Sequence, residues 1–420
     1  MNRPVSAAST ALFRIGFGVV GMVLVARFFA HGWIERLFLD PPFHFKYPGF
    51  SWVTPLPAPW MHVLFAVLGA AALLVAVGYR HRLGAGIFSV GLAYVELIDR
   101  TNFLNHYYWM VLTAGLMVCL PMSQIWSLDA RLGRVSSPGW VSMRVVWLLR
   151  FQVGMVYFFA GVAKLNPDWL LRAEPLSTWL PARAELPLIG PLLAMPATAF
   201  AMAWAGVFFD LTVVVWLLVR RTRIVAFAAL VSFHLMTWLL FPSIGVFPLV
   251  MSVSAMIFFD PDWPERWHRS VRSQTPTPHR LRPLIVGLAG FYLLAMVLIP
   301  IRHFAIPGDV RWTGEGYQGA WQVMLTDKTG AVDFIVTDYH GRSWVAPPPT
   351  YLTDRQLAVM ATDPALIQQL AVEMSARTGF EVSARGRISF NGRMSTEWTD
   401  PDVELTAGPL AASDWVRPAP

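Results

Sequence analysis

The chain has 420 residues, 55% of them hydrophobic and 14% charged, with a mean hydropathy of +0.48 and a formal net charge of +7. Soluble domains carry about 25% charged residues, so this composition excludes a cytosolic enzyme, a disordered chain and a secreted disulfide scaffold. One cysteine, Cys119, allows no intramolecular disulfide, and the positive charge sits in the apolar N-terminal part, a membrane pattern and not a nucleic-acid one.

A membrane-spanning helix needs roughly 20 mostly apolar residues. Segments near 9–30, 58–78, 83–98, 106–121, 144–163, 195–219, 224–241, 243–259 and 283–301 approach or meet that length. They predict an all-α polytopic membrane domain of about nine transmembrane helices over 1–301, with the third, fourth and eighth short. The connections alternate in basic residues. One set carries Arg3, Arg80, Arg82, Arg131, Arg134, Arg144, Arg220, Arg221, Arg223, Arg266, Arg269, Arg272, Arg280 and Arg282, fourteen in all. The other has six: Arg36, Lys46, Arg100, Lys164, Arg172 and Arg183. The positive-inside rule makes the first set cytoplasmic, which places the N-terminus in the cytoplasm and, after an odd number of spans, residues 302–420 outside.

From Arg302 the composition becomes that of a small α+β extracytoplasmic domain. Trp321–Thr326 and Ala331–Asp338, around Asp327-Lys328-Thr329-Gly330, predict a hairpin. Asp354–Arg377 predicts a helix broken near Asp363-Pro364, and Arg387–Phe390 a strand. Trp312, Tyr317 and Trp321 are expected as interfacial anchors that hold the tail as a roof over the spans, and Trp415–Pro420 is expected to fray.

Ionisable groups inside spans are costly and are functional candidates by default. His106 opens the fourth span and Lys164 closes the fifth, both at outer ends, and His234 lies about 10 Å below the outer surface in the seventh. Each also has a plain structural explanation: a snorkelling lysine, a histidine in an aromatic belt beside Tyr107, Tyr108 and Trp109, and a histidine bonded to another helix. Asp210 and Arg150 are expected to pair with other buried polar groups, and Glu96 and Asp99 could form a like-charge pair. No HExxH, CxxC, Walker or dinucleotide glycine spacing occurs, so no metal is expected, and redox chemistry would belong to an organic cofactor.

Three strings in order carry a resemblance: Asp99-Arg100-Thr101-Asn102-Phe103-Leu104-Asn105-His106; Phe158-Phe159-Ala160-Gly161-Val162-Ala163-Lys164-Leu165-Asn166-Pro167-Asp168-Trp169; and Phe233-His234 followed by Ser243-Ile244-Gly245-Val246-Phe247. Together they resemble the vitamin K-dependent gamma-glutamyl carboxylase family, with its HTTM-type membrane domain, over nearly the whole chain. The resemblance implies an enzyme that oxidises reduced vitamin K (menaquinol or phylloquinol) with O₂ to the epoxide and carboxylates protein-bound glutamate with CO₂. It implies Lys164 as the base toward the quinol, His106 at the glutamate carbanion or CO₂ step, and His234, Thr237, Asn105 and Lys164 around the quinone. A lysine acts as a base only when neutral, and burial favours that form. Two departures stand beside the site: Ala163-Lys164 replaces a frequent Lys-Lys pair, and Thr237 replaces an asparagine. The tail is also shorter than in animal members, which bind a propeptide there. The expected partners are the bilayer, a lipid quinone and a glutamate-containing protein or peptide, with no nucleic acid. A short chain without disulfides points to a bacterial member using menaquinol. Two rivals stay open: a quinol epoxidase that does not carboxylate glutamate, and a non-catalytic quinone- or lipid-binding protein on the same scaffold.

Overall fold

The computed structural model describes residues 3–268 and 283–419. Of the basic set above, Arg269, Arg272, Arg280 and Arg282 lie outside the described residues. Every expected apolar segment is helical. In chain order they are α1 (Ala8–Ala30), α2 (Trp60–Val77), α3 (His81–Ile98), α4 (Asn105–Cys119), α5 (Met143–Ala163), the short connecting helix α6 (Pro167–Arg172), α7 (Pro196–Leu218), α8 (Arg223–Leu240), α9 (Phe247–Ala255) and α10 (Pro283–Ile301). Among the described residues six helices are long and apolar enough to cross a membrane: α1, α2, α5, α7, α8 and the run Val286–Ala305 that contains most of α10. The chain is therefore an integral membrane protein. The expected count of nine does not follow from length and composition, because Arg82 and Glu96 dilute α3 and because α4 and α9 are short.

Two buried arginines show how the bundle satisfies helix ends without water. Arg14, on α1, donates to the carbonyls of Val75 and Ala76 at 2.6 Å and of Trp126 at 2.7 Å, using C-terminal carbonyls of α2. Arg150 donates to the carbonyls of Ile257 and Phe259, just past the end of α9. Its partners are backbone carbonyls, the buried polar groups that the sequence led one to expect.

The tail folds around an antiparallel sheet in the order β4-β3-β5-β6, with β3 Lys328–Thr337, β4 Ser343–Ala346, β5 Glu381–Phe390 and β6 Thr396–Glu397. A further two-stranded ribbon, β1 (Pro4–Ser6) with β2 (Trp140–Ser142), ties the chain start to the head of α5. Along β5, Val382, Ala384, Ile388 and Phe390 are buried on one face, the period-two pattern of a half-covered sheet. Helices α11 (Asp354–Met360) and α12 (Pro364–Thr378) are separated at Asp363, which caps α12 through its side chain with Pro364 in the first turn. That break is the one the sequence predicts.

The predicted hairpin is not the one formed. Trp321–Thr326 is irregular, with Trp321 and Met324 at positive φ, and Trp321 packs into the membrane bundle 5.5 Å from the Tyr108 ring. The supposed turn opens β3, whose hairpin partner is β4. The true turn is held by Asp338, which accepts bonds from the amides of His340 and Arg342. Trp312 is no interfacial anchor either, since it packs in the tail's own core against Phe390 and Trp398. The end does not fray at Trp415, which is buried, and the Thr399–Val416 bridge holds the chain beside it.

The tail is docked on the connections of the arginine-poor set. Arg100 pairs with Asp363 at 2.8 Å, Gln356 donates to Asp99 at 2.8 Å, and Arg355 donates to Asn102 at 3.0 Å. Several tail residues gather on Asp168. Asn166 caps α6 by accepting from the Trp169 amide, with Pro167 next, which fixes Asp168 toward the tail. There Arg393 binds it at 2.6 Å and Asn391 at 3.0 Å. Burial pushes the Asp168 carboxyl up, but the hydrogen bonds from Arg393 and Asn391 outweigh it and hold it below the usual carboxylate range. A depressed carboxylate contributes stability above its unfolded value and loses it as pH falls through its folded one. Asp168→Asn is thus expected to weaken docking by about 1.5–3 kcal/mol, seen as faster tryptic cleavage within 302–420 at neutral pH. The gap from the wild type should close in acid. Equal cleavage of both proteins at neutral pH would show that this contact does not hold the roof.

Candidate active site

The crossing of α5 and α7 sets the geometry. A side chain on Gly161 would reach within 2.8–3.0 Å of Leu211, so only glycine lets the two helices approach this closely. That approach joins Lys164, at the end of α5, to Asp210 on α7: Nζ donates to Oδ2 at 2.8 Å and to the Ala160 carbonyl at 3.3 Å. The Trp169 ring lies 5.2 Å from Nζ. Both charged side chains are buried, at 7% and 3% exposure. A buried pair can exist as ammonium and carboxylate or as amine and acid, so the dyad can take up or release one proton at the Lys164 nitrogen.

These residues face a cavity of about 430 Å³, a size suited to a small organic ligand. Tyr157, Phe209, Phe233, Leu240 and Phe247 make most of its apolar wall, and Val323 and Met324 of the roof close it above. Among the residues of its rim, Ala205 on α7 and Ala229, Ser232 and Met236 on α8 are exposed, so the mouth lies between two membrane-spanning helices. His234 also lines the cavity. Its Nε2 is 2.8 Å from the Tyr157 hydroxyl, while its Nδ1 is buried without a hydrogen-bond partner. An orphaned buried nitrogen is costly, so His234 Nδ1 is available to hydrogen-bond an oxygen of a molecule bound in the cavity.

Of the residues selected from sequence, the structure brings Lys164, His234 and Thr237 to this cavity. The Thr237 hydroxyl donates to the Phe233 carbonyl at 2.7 Å, so its proton is engaged and its oxygen can only accept from a bound group. His106 does not line the cavity. It is buried behind Phe247, whose ring lies 6.0 Å from the His106 ring and 5.7 Å from that of His234. Asn105 is also outside, near Tyr317 of the roof, with its side-chain oxygen buried and unpartnered. Asp210 and Tyr157 join the site although the sequence marked neither for it. The only signal for Asp210 was a carboxylate in an apolar run, and a tyrosine one residue from Phe158-Phe159 gave none. Among the described residues no group of three or more His, Cys, Asp or Glu side chains is placed to hold a metal ion.

The chain matches two family profiles, "HTTM domain" over residues 2–263 and "Vitamin K-dependent gamma-carboxylase, lumenal domain" over residues 281–420. No solved structure matches it. The first match contains the whole cavity-forming bundle from α1 to α9, and the second contains the roof that closes it. With both parts matched in order, the chain belongs to the vitamin K-dependent gamma-carboxylase family, built from an HTTM membrane domain and a lumenal-type C-terminal domain.

Proposed function

We propose that this protein is an integral-membrane, quinol-dependent gamma-carboxylase, which oxidises a reduced naphthoquinone with O₂ to its epoxide and carboxylates protein-bound glutamate with CO₂. The observation that carries this is the Lys164–Asp210 dyad, buried at the wall of an apolar cavity whose mouth opens between two membrane-spanning helices. Reduced vitamin K, as menaquinol or phylloquinol, supplies when bound the oxygenation chemistry and the strong base that removal of a glutamate γ-hydrogen requires. The aromatic and aliphatic walls take its rings and prenyl chain. His234, steadied by Tyr157, offers Nδ1 to an oxygen. Lys164 accepts the proton of an acidic hydroxyl, and Asp210 neutralises the ammonium that results. His106 serves the carbanion or CO₂ step from behind Phe247. Thr237 shapes the wall, and Asn105 supports the roof side. Turnover of reduced menaquinone to its epoxide by the purified protein under O₂ tests this reading, and no epoxide from any of several naphthoquinols contradicts it.

The same proposal assigns nine crossings, a cytoplasmic N-terminus, a membrane domain over 1–301 and an extracytoplasmic domain over 302–420. The fourteen-to-six division of basic residues supports it, as does docking of the tail on the arginine-poor connections. A reporter fused after Pro420 should be active only on the outer face. Activity in the cytoplasm would overturn the topology and put the roof on the wrong side.

A further inference from the structure

A second space adjoins the quinol cavity on the roof side of the bundle. Its volume is about 580 Å³, and Ala182 and Ser243 are exposed at its mouth. Arg183 stands beside them with Nε donating to the Leu240 carbonyl at 3.0 Å, so this vestibule has a polar entrance open to water. Four residues line the vestibule and the cavity alike: Trp179, Phe241, Ile244 and Met324. One layer of side chains therefore separates solvent from the space that contains Lys164 and Asp210. The layer is apolar. Trp179 and Phe241 meet edge to face with ring centroids 5.6 Å apart, and the indole N–H of Trp179 is taken up by Asp327 at 3.0 Å. Met324 is the tail's share of the layer. The backbone is bent to put it there, with φ of 57° at Trp321 and 51° at Met324, a conformation that residues other than glycine keep only where their surroundings hold it. Both ends of the bend are held. Trp321 is sunk in the membrane bundle, and Asp327 exchanges bonds with Asn391, its amide donating to Oδ1 at 2.8 Å and its carbonyl accepting from the Asn391 amide at 2.9 Å. Asn391 is also a partner of Asp168, so docking of the roof and placement of Met324 belong to one arrangement.

We infer that Met324, closing the layer formed with Trp179, Phe241 and Ile244, seals the cavity against water and thereby couples quinol oxidation to carboxylation. The inference rests on the carboxylase reading above and deepens it by naming what keeps the two half-reactions together. A base strong enough to remove a glutamate γ-hydrogen takes a proton from water far more readily. A water molecule that reached it would give up one proton and leave as hydroxide, so the quinol would be consumed while no carbanion formed and no CO₂ was fixed. Methionine suits the position, because its flexible, unbranched side chain fills an irregular gap and offers water no strong hydrogen-bonding atom.

The test reads the seal and the chemistry separately, in the full-length protein in lipid nanodiscs. For the seal, Ala160→Cys places a thiol on the cavity wall in a Cys119→Ser background, and a charged, water-soluble thiosulfonate is added. Labelling should be slow with Met324 or with Met324→Leu, which fills the gap with another apolar side chain. It should be about tenfold faster or more with Met324→Ala, which opens the layer, and with Met324→Gln, which keeps the length and adds an amide that water solvates. For the chemistry, CO₂ fixed per epoxide formed should fall about tenfold or more in the alanine and glutamine variants and hold in Met324→Leu. Labelling of both variants at the wild-type rate, or fast labelling with Met324 in place, overturns the seal. Faster labelling with an unchanged ratio overturns its part in coupling. Because labelling is read without turnover, a seal that opens in a protein making no epoxide would uphold the seal and reject the carboxylase reading.

Discussion

Lys164→Ala is expected to lower quinol epoxidation by about 10²-fold to 10⁴-fold, the usual worth of a positioned general base. Among the described residues the lysine is the one amine on the cavity wall, and its nitrogen is fixed by Asp210 at 2.8 Å, by the Ala160 carbonyl and by the face of Trp169. Removing it also leaves Asp210 buried without its partner, at a cost of about 3–5 kcal/mol in stability. A fall in activity alone could therefore reflect loss of fold. Lys164→Gln combined with Asp210→Asn separates the two effects, because a neutral amide pair replaces the ions at similar volume. That double variant should melt close to the wild type and still form no measurable epoxide. A snorkelling lysine would allow near-normal turnover in both variants, and epoxide formation by the folded double variant would remove Lys164 from the chemistry.

His106→Ala should instead divide the reaction. The imidazole lies outside the cavity, so the Lys164–Asp210 dyad and the Tyr157–His234 contact keep their partners when it is lost. Epoxidation should stay within about tenfold of the wild type, while CO₂ fixed per epoxide formed should fall by about 10²-fold or more if His106 works on the carbanion side. Truncation also leaves a void behind Phe247, so His106→Gln is the better-packed companion. Both products are counted in one assay from labelled bicarbonate and the quinone epoxide. A parallel fall in both products would make His106 a support for the Phe247 wall, and an unchanged ratio would remove it from the second half of the reaction.

The apolar segments were legible because membrane helices announce themselves by length and hydropathy: each of the nine segments is helical, and six helices among the described residues are long and apolar enough to cross a membrane. That Lys164 and His234 stand at one level of the bundle was legible for the same reason, since counting residues along a helix is counting ångströms, and both line one cavity. Azimuth was not. Depth alone put His106 with them, yet its side of α4 turns it behind Phe247. Asp210 looked like a buried group in need of a partner, and it is one; what the sequence did not show is that the partner is Lys164. In the tail the misplaced hairpin has a plain cause: Trp321 is drawn into the membrane bundle, a tertiary contact that local alternation does not encode. The Asn166-Pro167-Asp168-Trp169 string reads as a helix start from its cap and proline, whereas the use of Asp168 as an anchor for Arg393 depends on a strand end more than two hundred residues away.

The most direct measurement is product analysis of the purified wild-type protein in lipid nanodiscs, supplied with reduced menaquinone, O₂, ¹³C-bicarbonate and a glutamate-containing peptide. The carboxylase account predicts quinone epoxide and a ¹³C-carboxylated peptide together, with neither formed when the quinol or O₂ is withheld. Epoxide with no label in any glutamate peptide would contradict the carboxylation half and leave a quinol epoxidase. Absence of both products with menaquinol, phylloquinol and their short-chain analogues would contradict the enzyme itself and leave a quinone-binding protein.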